Sequence, residues 1–353
     1  MKKIFLSAIV FAVLLFGMSA MACNLKFFKK AHSINTLTAS ELEILPTMNT
    51  ESDAKNQVWV GTFQLVWNDL IDEIVHHPVE FVGGKSIDAE NLNKREFTTD
   101  NLKEESFYKK VGLVSKSLKK EIESAIKEKF NEKSNVLDGL DWTPAPEKYL
   151  LYAMLKKDFE YIKPFDKMSD APFQGSDGNV KYFGIKDKSN RGLMNTVNVL
   201  FYNSEKDFAV TLKSKQGDTV YLYRTDDEKT LDKLYQDMKN KQKKYKGKSY
   251  LTKRDEFKAP MINFKKEKTF KNLCRVIKNS SFKIDNAIET IQFKMDEVGV
   301  KLKSEAVIIV GLTCMPERDI PRYFNFDSRY VIFLEEKDKP YFALKIEDVK
   351  PLQ

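Results

Sequence analysis

Few residues in this chain are placed to do chemistry. There are three histidines, His32, His76 and His77, and the adjacent pair ahead of Pro78 would point to opposite sides of an extended chain, so it does not converge on one site. No group of His, Cys, Asp and Glu has the spacing of a metal site. Gly83–Ser86 reads Gly-Gly-Lys-Ser, the close of a phosphate-binding loop, but that loop needs another glycine where Val79 stands. An enzyme is therefore not expected, nor is a metal or a cofactor. Two cysteines draw notice: Cys23, just after Ser19–Ala22 at the end of an apolar run, and Cys314, inside a proline-containing segment that reads as exposed loop. The third, Cys274, falls on one helical face with Phe270, Leu273 and Ile277 and is expected in the core.

The elements that would present such a loop lie between Ile288 and Arg322. In Ile288–Met295, Ile291, Phe293 and Met295 alternate with Thr290, Gln292 and Lys294, the period of a strand with one buried face. Asp296–Gly299 interrupts the pattern. It then resumes with Val300, Leu302, Ser304 and Ala306 on one face and Lys301, Lys303 and Glu305 on the other. The apolar run Val307–Val310 follows, and Gly311–Pro321, with two prolines and mixed charge, reads as loop.

Here the chain resembles the serpin family. In that family a strand of the large central sheet passes through an acidic, glycine-containing hinge into a long exposed loop that carries the protease bait. The matching hinge residues are Asp296, Glu297 and Gly299, leading into Val300, Leu302, Ser304 and Ala306. Phe324–Leu334, the charged turn Glu335–Pro340 and Tyr341–Val349 resemble the family's closing hairpin. Tyr161–Phe165, Ala171–Phe173 and Ala259–Phe264 resemble further landmarks in the right order, and Tyr161 stands where the family has a tryptophan at the top of the sheet, where loop insertion starts.

The resemblance implies an α+β fold: a large central, mostly antiparallel sheet, additional sheets, packed helices and an exposed reactive loop over residues 297–322. It implies inhibition by suicide cleavage, in which a protease attacks the loop, forms an acyl-enzyme, and is trapped as the loop inserts into the sheet. Counting from the hinge puts the cut after Thr313; counting back from Phe324 puts it after Met315, so the scissile region is Leu312, Thr313, Cys314 and Met315. The family's helix on the face of the sheet is missing near residues 143–148, and its serine-containing gate motif is replaced by Gly61, Thr62 and Gln64.

Inhibitory relatives have threonine and alanines where this chain has Val300–Glu305, so Leu302 would enter a slot that usually takes a small side chain. Overpacking costs about 1 to 3 kcal/mol, less than burial of Val300 and Leu302 returns at about 1.5 to 3 kcal/mol each. Insertion stays downhill, but trapping is a race in which about 1.4 kcal/mol of added barrier slows the step about tenfold. A non-inhibitory serpin-fold surface protein that binds a ligand, polyanion or partner is the alternative. Its candidate binding segment holds Lys241, Lys243, Lys244, Lys246 and Lys248; it carries no nucleic-acid motif, and none is expected as partner.

Met1–Lys3, the apolar Ile4–Phe16 and the small-residue end Ser19–Ala22 form an export signal. Ala20–Cys23 also resembles a relaxed bacterial lipobox, which would place a lipid on Cys23 and the protein at a membrane surface; plain secretion is the other reading. With 353 residues, 42% hydrophobic, 12% aromatic and a net charge of +8, the mature chain reads as globular. The expected layout is signal 1–22, tether 23–53 and one domain 54–353, a monomer facing an extracellular or periplasmic protease of serine or cysteine type. Periodicity predicts helices over Gln57–Ile74, Leu118–Phe130 and Leu231–Met238, a short strand over Val79–Gly84, and an antiparallel meander from Val197 to Tyr223.

Overall fold

The computed structural model describes residues 41–134, 136–144, 147–300 and 320–353. Short strand β1 (Glu43–Ile44) runs parallel to β2 (Gln57–Val60), which leads into helix α1 (Thr62–Asp69) and a π-helical turn, Leu70–Val75. Helix α2 (Ile87–Leu92), strand β3 (Phe107–Leu113), helix α3 (Lys116–Phe130), β4 (Tyr149–Leu155) and β5 (Phe159–Glu160) follow. Next come β6 (Asp166–Lys167), β7 (Ala171–Pro172), β8 (Asn179–Val180), β9 (Tyr182–Gly184) and the single turn α4 (Arg191–Met194). The meander is β10 (Val197–Ser204), β11 (Asp207–Lys213) and β12 (Thr219–Arg224), then helix α5 (Leu231–Lys244). β13 (Glu256–Pro260), β14 (Ile262–Thr269), β15 (Ile288–Met295), β16 (Gly299–Val300), β17 (Tyr323–Asn325), β18 (Tyr330–Glu336) and β19 (Lys339–Ile346) complete the chain.

The architecture is α+β. Its largest sheet has seven strands in the order β1-β2-β19-β18-β12-β11-β10, antiparallel except at β1–β2. Apolar runs at its centre, such as Tyr330–Leu334 and Tyr341–Leu344, are buried on both faces, as expected of strands covered from two sides. The β18–β19 hairpin closes through Lys337 and Asp338, with φ of 47° and 59°, the left-handed pair that matches the twist of flanking strands. A four-stranded sheet, β17-β13-β9-β6, shares the core of the largest sheet, with Phe324 of β17 packed on Phe208 of β11. A second, smaller core forms under α3, where Leu118, Ile122, Ile126 and Phe130 meet Leu137, Trp142 and Tyr152.

Several expectations need correction. Ile288–Met295 does not belong to the largest sheet: β15 pairs with β14 in a two-stranded ladder, and β4 pairs with β3 in another. The helix expected over Gln57–Ile74 starts only at Thr62, because Val58, Trp59 and Val60 are β-branched or aromatic and pair with Leu344, Ala343 and Phe342. The tether does not reach residue 53, since Leu42, Ile44 and Leu45 are fully buried against the seven-stranded sheet. Val79–Gly84 makes only an isolated bridge, Phe81 to Ile277. Cys274 follows a 3-10 turn at Lys271–Leu273, not an α-helix, and is half-buried with its thiol 3.6 Å from the Phe270 carbonyl oxygen. α5 runs on through the lysines to Lys244, and between α3 and β4 the described residues hold only a 3-10 turn, Leu137–Gly139.

Asn56 closes the early chain onto the C-terminus. Its amide donates to the carbonyls of Glu41 (2.6 Å) and Asp348 (2.8 Å) and accepts from the N–H groups of Glu347 (3.0 Å) and Asp348 (3.1 Å). Asn56→Ala leaves these backbone groups without partners at a fully buried position, each costing about 1 to 3 kcal/mol. Urea denaturation should show a loss of at least about 2 kcal/mol with unchanged m; a loss within about 0.5 kcal/mol would contradict the assignment.

Candidate functional site

The two ladders face each other across a cleft of about 1050 Å³. One wall is β4, with Leu151, Ala153 and Leu155; the other is β15, with Ile291 and Phe293; Phe63 and Trp67 of α1 line it below. Among the described residues β4 pairs only with β3 and β15 only with β14, so each presents an edge to the cleft. Unpaired strand edges are templates for another strand.

At the top, β16 leaves the turn that follows β15 and pairs antiparallel with β5, Gly299 opposite Glu160 and Val300 opposite Phe159. The turn is built by Asp296, whose carboxylate accepts from the N–H groups of Val298 (3.0 Å) and Gly299 (3.3 Å) and meets Lys294 at 2.6 Å. Burial alone would raise its carboxyl; Lys294 and the backbone donors outweigh that and hold it below the usual range. A Cβ at Gly299 would lie 2.4 Å from the Phe159 carbonyl oxygen, so only glycine lets the two backbones approach. Tyr161 sits directly behind the turn. Its N–H donates to the Val298 carbonyl (3.1 Å), Phe165 N–H donates to that of Glu297 (2.7 Å), and the Glu297 carboxylate meets Lys167 at 3.2 Å. The Tyr161 ring is fully buried against Phe165 and Phe183, and burial pushes its phenol well above the ordinary value.

Helix α1 ties the two ladders together. On one side Asp69 meets Lys109 of β3 at 2.5 Å. On the other, the Thr62 hydroxyl donates to Glu289 of β15 at 2.7 Å. Glu289 is 5% exposed, and its second carboxyl oxygen has no partner among the described residues. Burial pushes its carboxyl up to about 8, against the opposing pull of the Thr62 hydroxyl and the Phe63 N–H. Lys268, opposite Glu289 in the ladder, spends its ammonium on Glu43 (2.7 Å) and the Ile44 carbonyl (2.9 Å). Of the three gate positions read from the sequence, Gly61 precedes the helix, Thr62 makes this contact, and Gln64 is buried with its amide on the Leu92 carbonyl at 2.8 Å.

Asp296, Glu297, Gly299, Val300 and Tyr161 are thus brought together at the top of the cleft. Leu302, Ser304, Ala306, Leu312, Thr313, Cys314 and Met315 lie outside the described residues, as does Cys23. The lysine segment divides. Lys241 is half-buried with Asp207 (2.8 Å), Asp237 (3.0 Å) and the Tyr223 hydroxyl (2.9 Å), so its charge is engaged inside the protein. Lys243, Lys244 and Lys246 are exposed and Lys248 is half-buried. The segment is anchored by Arg322, which donates to the carbonyls of Lys248 (2.9 Å) and Tyr250 (2.7 Å) and pairs with Asp255 (2.8 Å). Among the described residues no cluster of His, Cys, Asp and Glu could hold a metal ion, and no helix is long and apolar enough to cross a membrane.

Sequence reading missed Glu289 and Asp69. Glu289 had a signal: it shares the inward phase of Ile291, Phe293 and Met295, where a carboxyl must be paired or neutral. Asp69 had none, because its partner is remote in sequence.

No protein-family model matches the chain, and no curated protein matches it. Among solved structures it is similar to Serpin48 of the insect Tenebrio molitor, at 12% identity and a TM-score of 0.47 over 81% of this chain and 95% of that one. Human thyroxine-binding globulin in complex with thyroxine gives 12% identity and 0.41 over 69% of this chain and 76% of that one. Maspin gives 11% and 0.47 over 68% and 76%.

Two outcomes follow from the geometry. Gly299→Ala drives a methyl into the Phe159 carbonyl and should cost about 1 to 3 kcal/mol, read by urea denaturation; full retention of stability would contradict the close approach. For Glu289 the folded value near 8 exceeds the ordinary 4.5, so the folded state holds a proton that the unfolded chain releases. Stability of the wild type must then fall as pH rises from about 4.5 to 8, by on the order of 4 kcal/mol, and Glu289→Gln should flatten that slope. Parallel stability curves for the two proteins would contradict it.

Proposed function

We propose that this protein is a serpin-like protease inhibitor whose cleft is a vacant strand position, filled when a protease cuts the segment that follows β16. The observation that carries the reading is the pairing of β16 with β5 at the head of that cleft, because it already starts a strand in the right place and direction. Carried onward in the inserted form, its alternation would set Leu302 beside Phe293, Ser304 beside Ile291 and Ala306 beside Glu289. The inward set of the loop would then meet the inward set of β15, and Lys301, Lys303 and Glu305 would stay wet.

Helix α1 reaches both ladders: Thr62 bonds Glu289 of β15, and Asp69, seven residues on, bonds Lys109 of β3, the pairing partner of β4. A helix fixed at both ends is suited to hold the ladders apart.

In the proposed reaction the protease's serine or cysteine attacks a carbonyl carbon within Leu312–Met315, and the acyl-enzyme forms as the peptide bond breaks and the new amine takes a proton. The freed strand enters the cleft, gaining ladder hydrogen bonds on both sides, and carries the acyl-enzyme away from the geometry in which water would release it. The partner is an extracellular or periplasmic protease, met by an exported monomer held at a membrane surface by a lipid on Cys23.

Cutting the signal-free protein within Leu312–Met315, with the site checked by mass, should raise its melting temperature strongly, since a whole strand is added to the fold. Ser304→Pro should be cut equally but gain little, because proline cannot donate to the ladder. No rise in the wild type would overturn the insertion reading. A rise untouched by Ser304→Pro would show that stabilisation comes from elsewhere.

A further inference from the structure

We propose that Glu289 is a proton-controlled latch between helix α1 and strand β15, and that its protonation state sets how readily the cleft accepts a strand; this rests on the insertion reading above. Glu289 stands on the wall of the cleft and is bonded to the first residue of the helix that lines it. Its two carboxyl oxygens are treated unequally: one accepts from Thr62, while the other is buried without a partner among the described residues. A buried carboxyl left half-satisfied is tolerated far better neutral than charged.

Lys268 on β14 lies opposite Glu289 in register but is bonded to Glu43 of β1. Lys266, two residues along the same strand β14 and buried opposite Ile291, is drawn by the carboxylates of Glu41 and Glu43. Asp69, farther along α1, is bonded to Lys109 of β3, and Lys157, which also lines the cleft, is bonded to Asp218 (3.0 Å) and Glu336 (2.6 Å). None supplies a donor to the free oxygen. Protonation removes the buried charge that no donor compensates, in keeping with a carboxyl pushed up to about 8 by burial.

Ionisation acts on the cleft in two ways with the same sign. A carboxylate accepts more strongly than a carboxylic acid from the Thr62 hydroxyl and the Phe63 N–H at the helix N-terminus, which tightens α1 onto β15 and resists the shift that admits a strand. A strand laid beside Glu289 also removes what water the cleft retains, which penalises the charged form. Insertion into the latched state must therefore take up one proton, and above the midpoint its rate falls about tenfold per pH unit.

The test uses the full mature chain. The loop is cut at pH 9.5, the protease is removed, and samples are moved to buffers from pH 6.5 to 10 while conversion to the heat-stable form is timed. The expected result is a rate that is flat below about pH 8 and falls above it in the wild type, and stays high and flat in Glu289→Gln. Thr62→Val, which loses the hydroxyl that favours the ionised form, should move the midpoint upward, and it serves if Glu289→Gln does not fold. Conversion with the same pH dependence in wild type and Glu289→Gln would overturn the latch and leave the insertion reading standing. No conversion at any pH would overturn the insertion reading, and the latch with it.

Discussion

Two strand edges that face each other and have no pairing partner among the described residues are the constraint on which this structure turns. A backbone edge offers N–H and C=O groups that want partners, and a protein that keeps two such edges open must either fill the gap or hold it apart. Here β4 and β15 are held by α1, with one helix end bonded to β15 and the other to β3, the pairing partner of β4. The rest of the domain, above all the seven-stranded sheet and its buried aromatic layers, is the rigid base against which that gap is kept.

The top of the cleft is built to different rules from its walls. Tyr161, Phe165 and Phe183 form a buried aromatic block, and the backbone of that block holds the carbonyls of Glu297 and Val298. The turn is thereby fixed in direction before any further residue of the chain is considered. A strand started under such control begins in register, which removes the slow search that loop closure would otherwise impose. Glycine at 299 is the element that cannot be exchanged, because the approach to the Phe159 carbonyl leaves no room for a Cβ.

Much of this was legible in the sequence because it is local. The period-two pattern of Ile288–Met295 gave β15, the acidic Asp296–Gly299 gave the turn, and the runs from Val197 to Tyr223 gave the meander in order. What was not legible is long-range. Whether Tyr149–Leu155 pairs with β15 or stands off from it depends on contacts more than 100 residues apart, and no periodicity encodes a gap. Val58–Val60 was read as helix because Val60, Phe63 and Trp67 recur at helical spacing, yet a vacant place beside Phe342–Lys345 makes the same residues a strand. Leu42–Leu45 was lost in a polar, weakly patterned stretch although its apolar residues are buried. Glu289 lies inside Ile288–Met295 yet was given no role; its position on the inward phase was the informative fact.

The most direct measurement of the central claim is amide hydrogen exchange, by mass spectrometry, in β4 and β15 before and after the loop is cut. A vacant strand position predicts that amides of Tyr149–Leu155 and Ile288–Met295 that face the cleft exchange fast in the intact protein and become strongly protected in the cut one, while β18 and β19 stay unchanged. Equal protection of β4 and β15 before and after cutting would contradict the account, because it would mean that the two edges never gain the partner for which the cleft leaves room.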